Sequence, residues 1–202
     1  MAIEKDFFRQ VMGRFATGVT IVTTQGSQGP AGLTVNTFCS VSLNPPLVLV
    51  CIDMRSHTLQ YIRDSGAFAV NILTVQQEKL SRCFATPSQE RYEQFCNADY
   101  HLAATGSPII DDVLAFVDVR VVAEYPGGDH AIFLGEVVAM GTSGQIAYAQ
   151  EEDAQEFTIS DDGDDTVTTN RPPLAYYRGQ YRHLTGDYRK PSLASYYDED
   201  FD

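Results

Sequence analysis

Gly32-Leu33-Thr34-Val35-Asn36-Thr37-Phe38-Cys39-Ser40-Val41-Ser42-Leu43-Asn44-Pro45-Pro46 runs on into Leu47-Val48-Leu49-Val50-Cys51-Ile52-Asp53. Small hydroxyl and amide side chains alternate with apolar strand residues. The chain then turns at a double proline and re-enters an almost wholly apolar run. This is the pattern of two strands joined by a tight turn, the first with a polar rim at Thr34, Asn36 and Thr37. Such a rim, on a rigid sheet, can hold a small planar ligand by hydrogen bonds. It can equally be the wet face of an ordinary antiparallel strand.

Upstream, Phe7, Phe8, Val11, Met12 and Phe15 recur at helical spacing, which predicts a helix over residues 4–15. Residues 18–24, Gly-Val-Thr-Ile-Val-Thr-Thr, are β-branched and predict a strand. Downstream, Ser56 or Thr58 is placed to cap a helix that Ser65-Gly66 stops. Strands follow over 67–73, 113–124 and 131–140, the last two joined by a Gly127-Gly128-Asp129-His130 turn. A short helical piece follows Gln76 and Gln77. Residues 86–108 look like an excursion with one helical turn around 91–95. Six or seven strands with only short helices between them predict a mainly β protein. The expectation is a closed β-barrel with peripheral helices, not a doubly wound α/β sheet.

With 202 residues, 44% hydrophobic and 20% charged, the chain can build one soluble core. No apolar run has the length of a membrane span, and residues 1–6 lack the pattern of a signal peptide, so a cytoplasmic location is expected. Net charge is −13, but eight of the 27 acids lie in residues 151–165, leaving 19 acids against 14 bases elsewhere. With no basic stripe to meet phosphates, nucleic-acid binding is not expected. Cys39, Cys51, Cys83 and Cys96 form no C-x-x-C pair and suggest neither a zinc site nor a disulfide framework. Cys39 and Cys51 read as small buried hydrophobes. Residues 161–165, Asp-Asp-Gly-Asp-Asp, do not fit an EF-hand loop, so no metal is expected. G-x-G-x-x-G, G-K-[ST] and H-E-x-x-H are absent from the sequence.

Two further groups can carry chemistry. Asp53-Met54-Arg55-Ser56-His57-Thr58 sets hydroxyls, free amides and a cation at a helix start, which suits a phosphate and equally a bare cap. The glycines of 127–128 let another molecule approach closely, with His130 at the edge of the turn.

The order of these pieces carries a resemblance. Residues 8–23, the opening stretch, Ser56-His57-Thr58, residues 66–73, Phe84-Ala85, Gly128-Asp129-His130 and residues 173–179 (Pro-Leu-Ala-Tyr-Tyr-Arg-Gly) resemble the flavin reductase-like family. The likeness covers residues 6–140 and 172–184. It implies an FMN-binding split β-barrel with short peripheral helices, spanning 1–184 and forming a homodimer with flavin near the interface. The acidic stretch 143–170, which reads as a flexible insertion, and an acidic aromatic tail at 185–202 depart from the family pattern. The resemblance further implies that Thr34, Val35, Asn36 and Thr37 hold the isoalloxazine edge and that Cys51, Ile52 and Asp53 line the next strand. Arg55, Ser56 and Thr58 would take the phosphate, and Phe84 and Ala85 would flank the ribityl or dimethylbenzene side. His130 would contact the nicotinamide, with Tyr177 nearby. The implied cofactors are FMN or FAD with NADH or NADPH. The lack of a basic cluster beside His130 leans toward NADH. The implied role is supply of reduced flavin to a partner monooxygenase. The alternatives are a non-catalytic flavin-binding split barrel and a docking module of a redox assembly.

Overall fold

The computed structural model describes residues 3–142, 145–148 and 171–184. Most of the acidic stretch 143–170, and the tail 185–202, lie outside the described residues.

The opening stretch forms strands β3 (Gly29–Val35), β4 (Cys39–Leu43) and β5 (Pro46–Asp53). The double proline makes the turn between β4 and β5, with the Asn44–Pro45 bond cis. β2 (Thr20–Gly26) precedes them, and β6 (Ala67–Ile72), β9 (Ala115–Gly127) and β10 (His130–Thr142) follow. The strands hydrogen-bond in the order β3-β2-β6-β9-β10-β5-β4, with β11 (Gln145–Tyr148) added on β10. All of these neighbours are antiparallel.

The expected closure is corrected by this order. The two edge strands, β3 and β4, do not pair with each other. They are consecutive in sequence, so the sheet is split along a seam that residues 36–38 bridge. The opening stretch is therefore the seam of a split barrel.

Alternation within strands divides the interior in two, because successive strand residues face opposite sides. Val22, Val50, Ile52, Phe68, Val70 and Phe133 fill one side of the sheet. Ile21, Ala69, Leu73, Phe84, Phe95 and Leu174 fill the other, beneath the helices. The helices on that second side are α3 (Glu78–Ala85) and α4 (Gln89–Gln94), while α2 (His57–Ser65) sends Leu59 and Ile62 into the first cluster. Gly66 ends α2 in the left-handed conformation (φ 66°), where a Cβ would be strained. A short hairpin, β7 (Tyr100–Leu102) with β8 (Pro108–Ile110), completes the excursion, which is more structured than its composition suggests. Asn71 pins this hairpin to the sheet: buried, it donates to the Ile21 carbonyl and Thr23 hydroxyl and accepts from Ile110 N–H at 2.8 Å.

Two cysteine expectations are corrected. Cys83 and Cys96 are joined in a disulfide that ties α3 to the turn after α4. The sequence showed no motif because the partners are 13 residues apart and meet only when the excursion folds back. Cys39 is exposed, and Cys51 is half-buried.

The first helix, α1, is shorter than its periodicity suggested, Lys5–Met12, with Glu4 capping the N–H groups of Asp6 and Phe7. None of its residues is buried. Phe15, beyond its end, is 72% exposed.

Gly135 lies at a register shift between β9 and β10. A Cβ there would collide with Val119 Cγ1 and sit 3.1 Å from the Arg120 carbonyl. Gly135→Ala is expected to cost roughly 1–3 kcal/mol, read as a lower urea midpoint at unchanged slope.

Candidate functional site

At the seam, both threonines are already engaged. Thr34 Oγ1 donates to the Ser81 carbonyl of α3 at 2.7 Å. Thr37 Oγ1 donates to the Cys51 carbonyl at 2.9 Å and accepts from Cys51 N–H at 3.1 Å. Since Cys39 pairs with Leu49, Thr37 falls opposite Cys51, and its hydroxyl substitutes for the main chain where the β4–β5 ladder has ended. Their hydroxyl protons are therefore committed to shaping the segment.

What remains free is the backbone. Among the described residues, the main-chain N–H groups of Asn36, Thr37 and Phe38 have no hydrogen-bond partner. The exposed Asn36 amide sits among them. Consecutive free N–H groups and an amide suit the acceptor-rich edge of a flat heterocycle. The seam residues Thr34, Val35 and Asn36 open on a cavity of about 200 Å³ that Ala85, Tyr176 and Tyr181 close. Tyr176 and Tyr181 meet edge to face, and Tyr181 is fixed to Ser81 Oγ at 2.8 Å.

The other expected residues fall into distinct places. Ile52 points into the core and is fully buried, as is Phe84, which packs against Phe95 behind Ala85. Gly32 lets Phe84 come this close: an added Cβ would lie 2.9 Å from its ring. Cys51 is half-buried, and burial pushes its thiol pKa up. Tyr177, on β12 (Leu174–Tyr177), lies under the Arg178 guanidinium and does not line the cavity; its neighbour Tyr176 does. In a strand only one of two adjacent tyrosines can face a given side, and composition does not say which.

Asp53, Arg55, Asp129 and His130 form a second cluster at the end of β5. His130 is opposite Asp53 in the β5–β10 register, and Met54 N–H donates to the Asp129 carbonyl at 3.0 Å. Along β5, Asp53 is two residues beyond Cys51, about 7 Å, so this cluster flanks the seam. Asp129 accepts a hydrogen bond from His130 Nδ1 at 2.7 Å. A carboxylate only accepts, so the ring's other nitrogen, Nε2, is left for a ligand. The imidazole beside it holds the Asp129 carboxyl below the ordinary range. Arg55 is committed to Asp53, donating from Nε at 3.1 Å and from Nη2 at 2.7 Å. That pair holds the Asp53 carboxyl far below its usual value.

The start of α2 has what Arg55 lacks. Ser56 is its N-cap residue, yet Ser56 Oγ is buried with no partner. Buried orphan hydroxyls are uncommon and invite a ligand or water. The first turn of α2 opens on a cavity of about 480 Å³ lined by Gly32, His57, Thr58, Tyr61, Arg91 and Tyr92, among others. Arg91, which sequence reasoning missed, is only 7% exposed. It sat in a polar stretch whose apparent looseness gave no signal.

An FMN-like group fits these features by donor chemistry: free N–H groups for the ring edge, and an orphan hydroxyl at a helix start for a phosphate.

The family model described as "Flavin reductase like domain" matches residues 12–185. The reductase subunit HsaB of a flavin-dependent monooxygenase from Mycobacterium tuberculosis is 32% identical over 191 residues, 94% of this chain and 88% of that protein. A probable flavin reductase of Rhizobium meliloti is 41% identical over 137 residues, and the chain spans 43% of its length. The solved NADH:FAD oxidoreductase SgcE6 of Streptomyces globisporus, in complex with NAD and FAD fragments, aligns with a TM-score of 0.71 at 32% identity, over 92% of this chain and 95% of that one.

Proposed function

Because the chain belongs to the flavin reductase-like family, we propose that it uses NADH to reduce FMN or FAD and passes the reduced flavin to a partner monooxygenase. The observation that carries this reading is the free N–H run at residues 36–38, flanked by His130 with Nε2 available.

The flavin ring, when bound, supplies the hydride acceptor and the nicotinamide supplies the donor. The chain's own residues bind and orient. The unpaired N–H groups of Asn36, Thr37 and Phe38 would hold the acceptor edge of the ring and would stabilise negative charge there. Thr34 and Thr37 keep that row in place from behind. Tyr176 and Tyr181 wall off water on one side. His130, its tautomer fixed by Asp129, positions the nicotinamide carboxamide. No side chain has to move a proton for the hydride step itself.

A second copy of the chain completes the site. Phe7, Phe8, Val11 and Met12 present an unburied apolar face on α1, continued by Phe15, and such a patch marks an interaction surface. The N–H of Arg178, in the turn after β12, donates to the Gly13 carbonyl at 2.8 Å, which fixes this face beside the strand that carries Tyr176.

The test is aerobic consumption of NADH by the purified protein with and without added flavin. Consumption that depends on both flavin and protein supports the reading. Stoichiometric flavin binding without NADH oxidation would favour a flavin-binding protein instead.

A further inference from the structure

The sequence nominates Arg55 as the cation beside the phosphate, yet Arg55 is exposed and occupied by Asp53. Arg91 is the reverse case. Its Nε donates to the Gly32 carbonyl at 2.9 Å, which orients the guanidinium plane. Among the described residues Nη1 and Nη2 have no hydrogen-bond partner, and no carboxylate forms an ion pair with Arg91. The acid that lines this cavity, Glu93, is exposed and accepts from Gln89 instead. The guanidinium lies 5.2 Å from the centre of the Tyr92 ring, and its two Nη groups are not sealed from solvent but open on the cavity, where an anion can meet them. Burial pulls the Arg91 pKa down.

The cavity that Arg91 lines is also lined by His57 and Thr58, in the first turn of α2. A guanidinium fork facing a helix N-terminus makes an anion site for a tetrahedral oxyanion. β3 carries Gly32 to this cavity and Thr34 to the seam cavity, two residues or about 7 Å apart, a span suited to a ribityl chain.

We propose that Arg91, and not Arg55, receives the flavin's phosphate, and that it sets a preference for phosphorylated flavin over riboflavin. The proposal rests on the flavin-reductase reading. Because the Nε bond to Gly32 is spent inside the protein, the two Nη groups are what the phosphate meets.

The experiment measures dissociation constants of FMN and riboflavin, by quenching of flavin fluorescence, for the full chain and for R91Q, R91K and R55Q. Wild type is expected to prefer FMN by ~10–100-fold, the worth of charged hydrogen bonds. R91Q should weaken FMN by that factor and leave riboflavin within about twofold. Unchanged riboflavin affinity also certifies that R91Q is folded. R91K, retaining charge without the fork, should fall between. R55Q should shift FMN by less than about threefold, as expected for an exposed ion pair. If R91Q keeps the FMN preference, or R55Q abolishes it, the proposal fails while the flavin reading stands. If R91Q loses riboflavin as well, the residue is structural and the proposal also fails. If wild type binds neither flavin, both fall.

Discussion

Replacing His130 with alanine is expected to slow NADH-driven flavin reduction by ~10–100-fold while the flavin dissociation constant changes less than about twofold. The separation follows from where His130 sits. It belongs to the Asp53–Arg55–Asp129 cluster at the end of β5, not to the cavity walled by Tyr176 and Tyr181. Its ring is held from Nδ1 by an exposed carboxylate, so the work left to it is done by Nε2. Losing one positioning contact costs rate, because hydride transfer needs the two rings in register. Asp129→Asn should share the direction with a smaller effect, since an amide can still accept from Nδ1 but carries no charge to steady the ring. Stopped-flow rates and equilibrium flavin titrations on both variants measure the two quantities independently. A His130→Ala protein that loses flavin affinity and rate in equal proportion would place His130 in the flavin pocket instead.

Phe8→Glu is expected to convert the proposed dimer into monomers. Phe8 is 55% exposed, and Phe7, Val11 and Met12 around it are similarly uncovered, so a carboxylate there is harmless to a single chain. Across a dimer interface the same carboxylate would be buried without a partner, at a cost of about 3–5 kcal/mol, or more than roughly a hundredfold in Kd. Sedimentation velocity at several concentrations reads this directly. Retention of wild-type sedimentation by a folded Phe8→Glu protein would contradict the assignment of this face to a second copy. The same protein should bind flavin less tightly if the partner copy covers the seam.

The β-branched run from Val19 to Thr24 and the almost wholly apolar run from Leu47 to Asp53 made the main strands legible. So did the glycines that must adopt positive φ, Gly66 at the end of α2 and Gly128 in the β9–β10 turn. These are local signals, and local physics fixes them. The split followed from the family resemblance but was not legible in the residue pattern, because whether β3 meets β4 depends on the curvature and register of five other strands. The chemistry of the rim was half legible. Thr34, Asn36 and Thr37 marked the right segment, but only the fold reveals that two of their hydroxyls are turned to Ser81 and Cys51, leaving main-chain N–H groups exposed. Arg91 and the Cys83–Cys96 disulfide were hidden for one reason: both depend on the excursion of residues 86–108 folding back over α3. The α1 periodicity was read correctly as a helix, but not that its apolar face would stay uncovered among the described residues.

The central claim is that the seam holds a flavin ring where a nicotinamide can reach it. Anaerobic mixing of the purified protein with stoichiometric FMN and excess NADH tests it most directly, following the long-wavelength flavin absorbance. The account predicts bleaching far faster than in a protein-free control, and slower bleaching with His130→Ala. Bleaching no faster than the control, with flavin demonstrably bound, would contradict it.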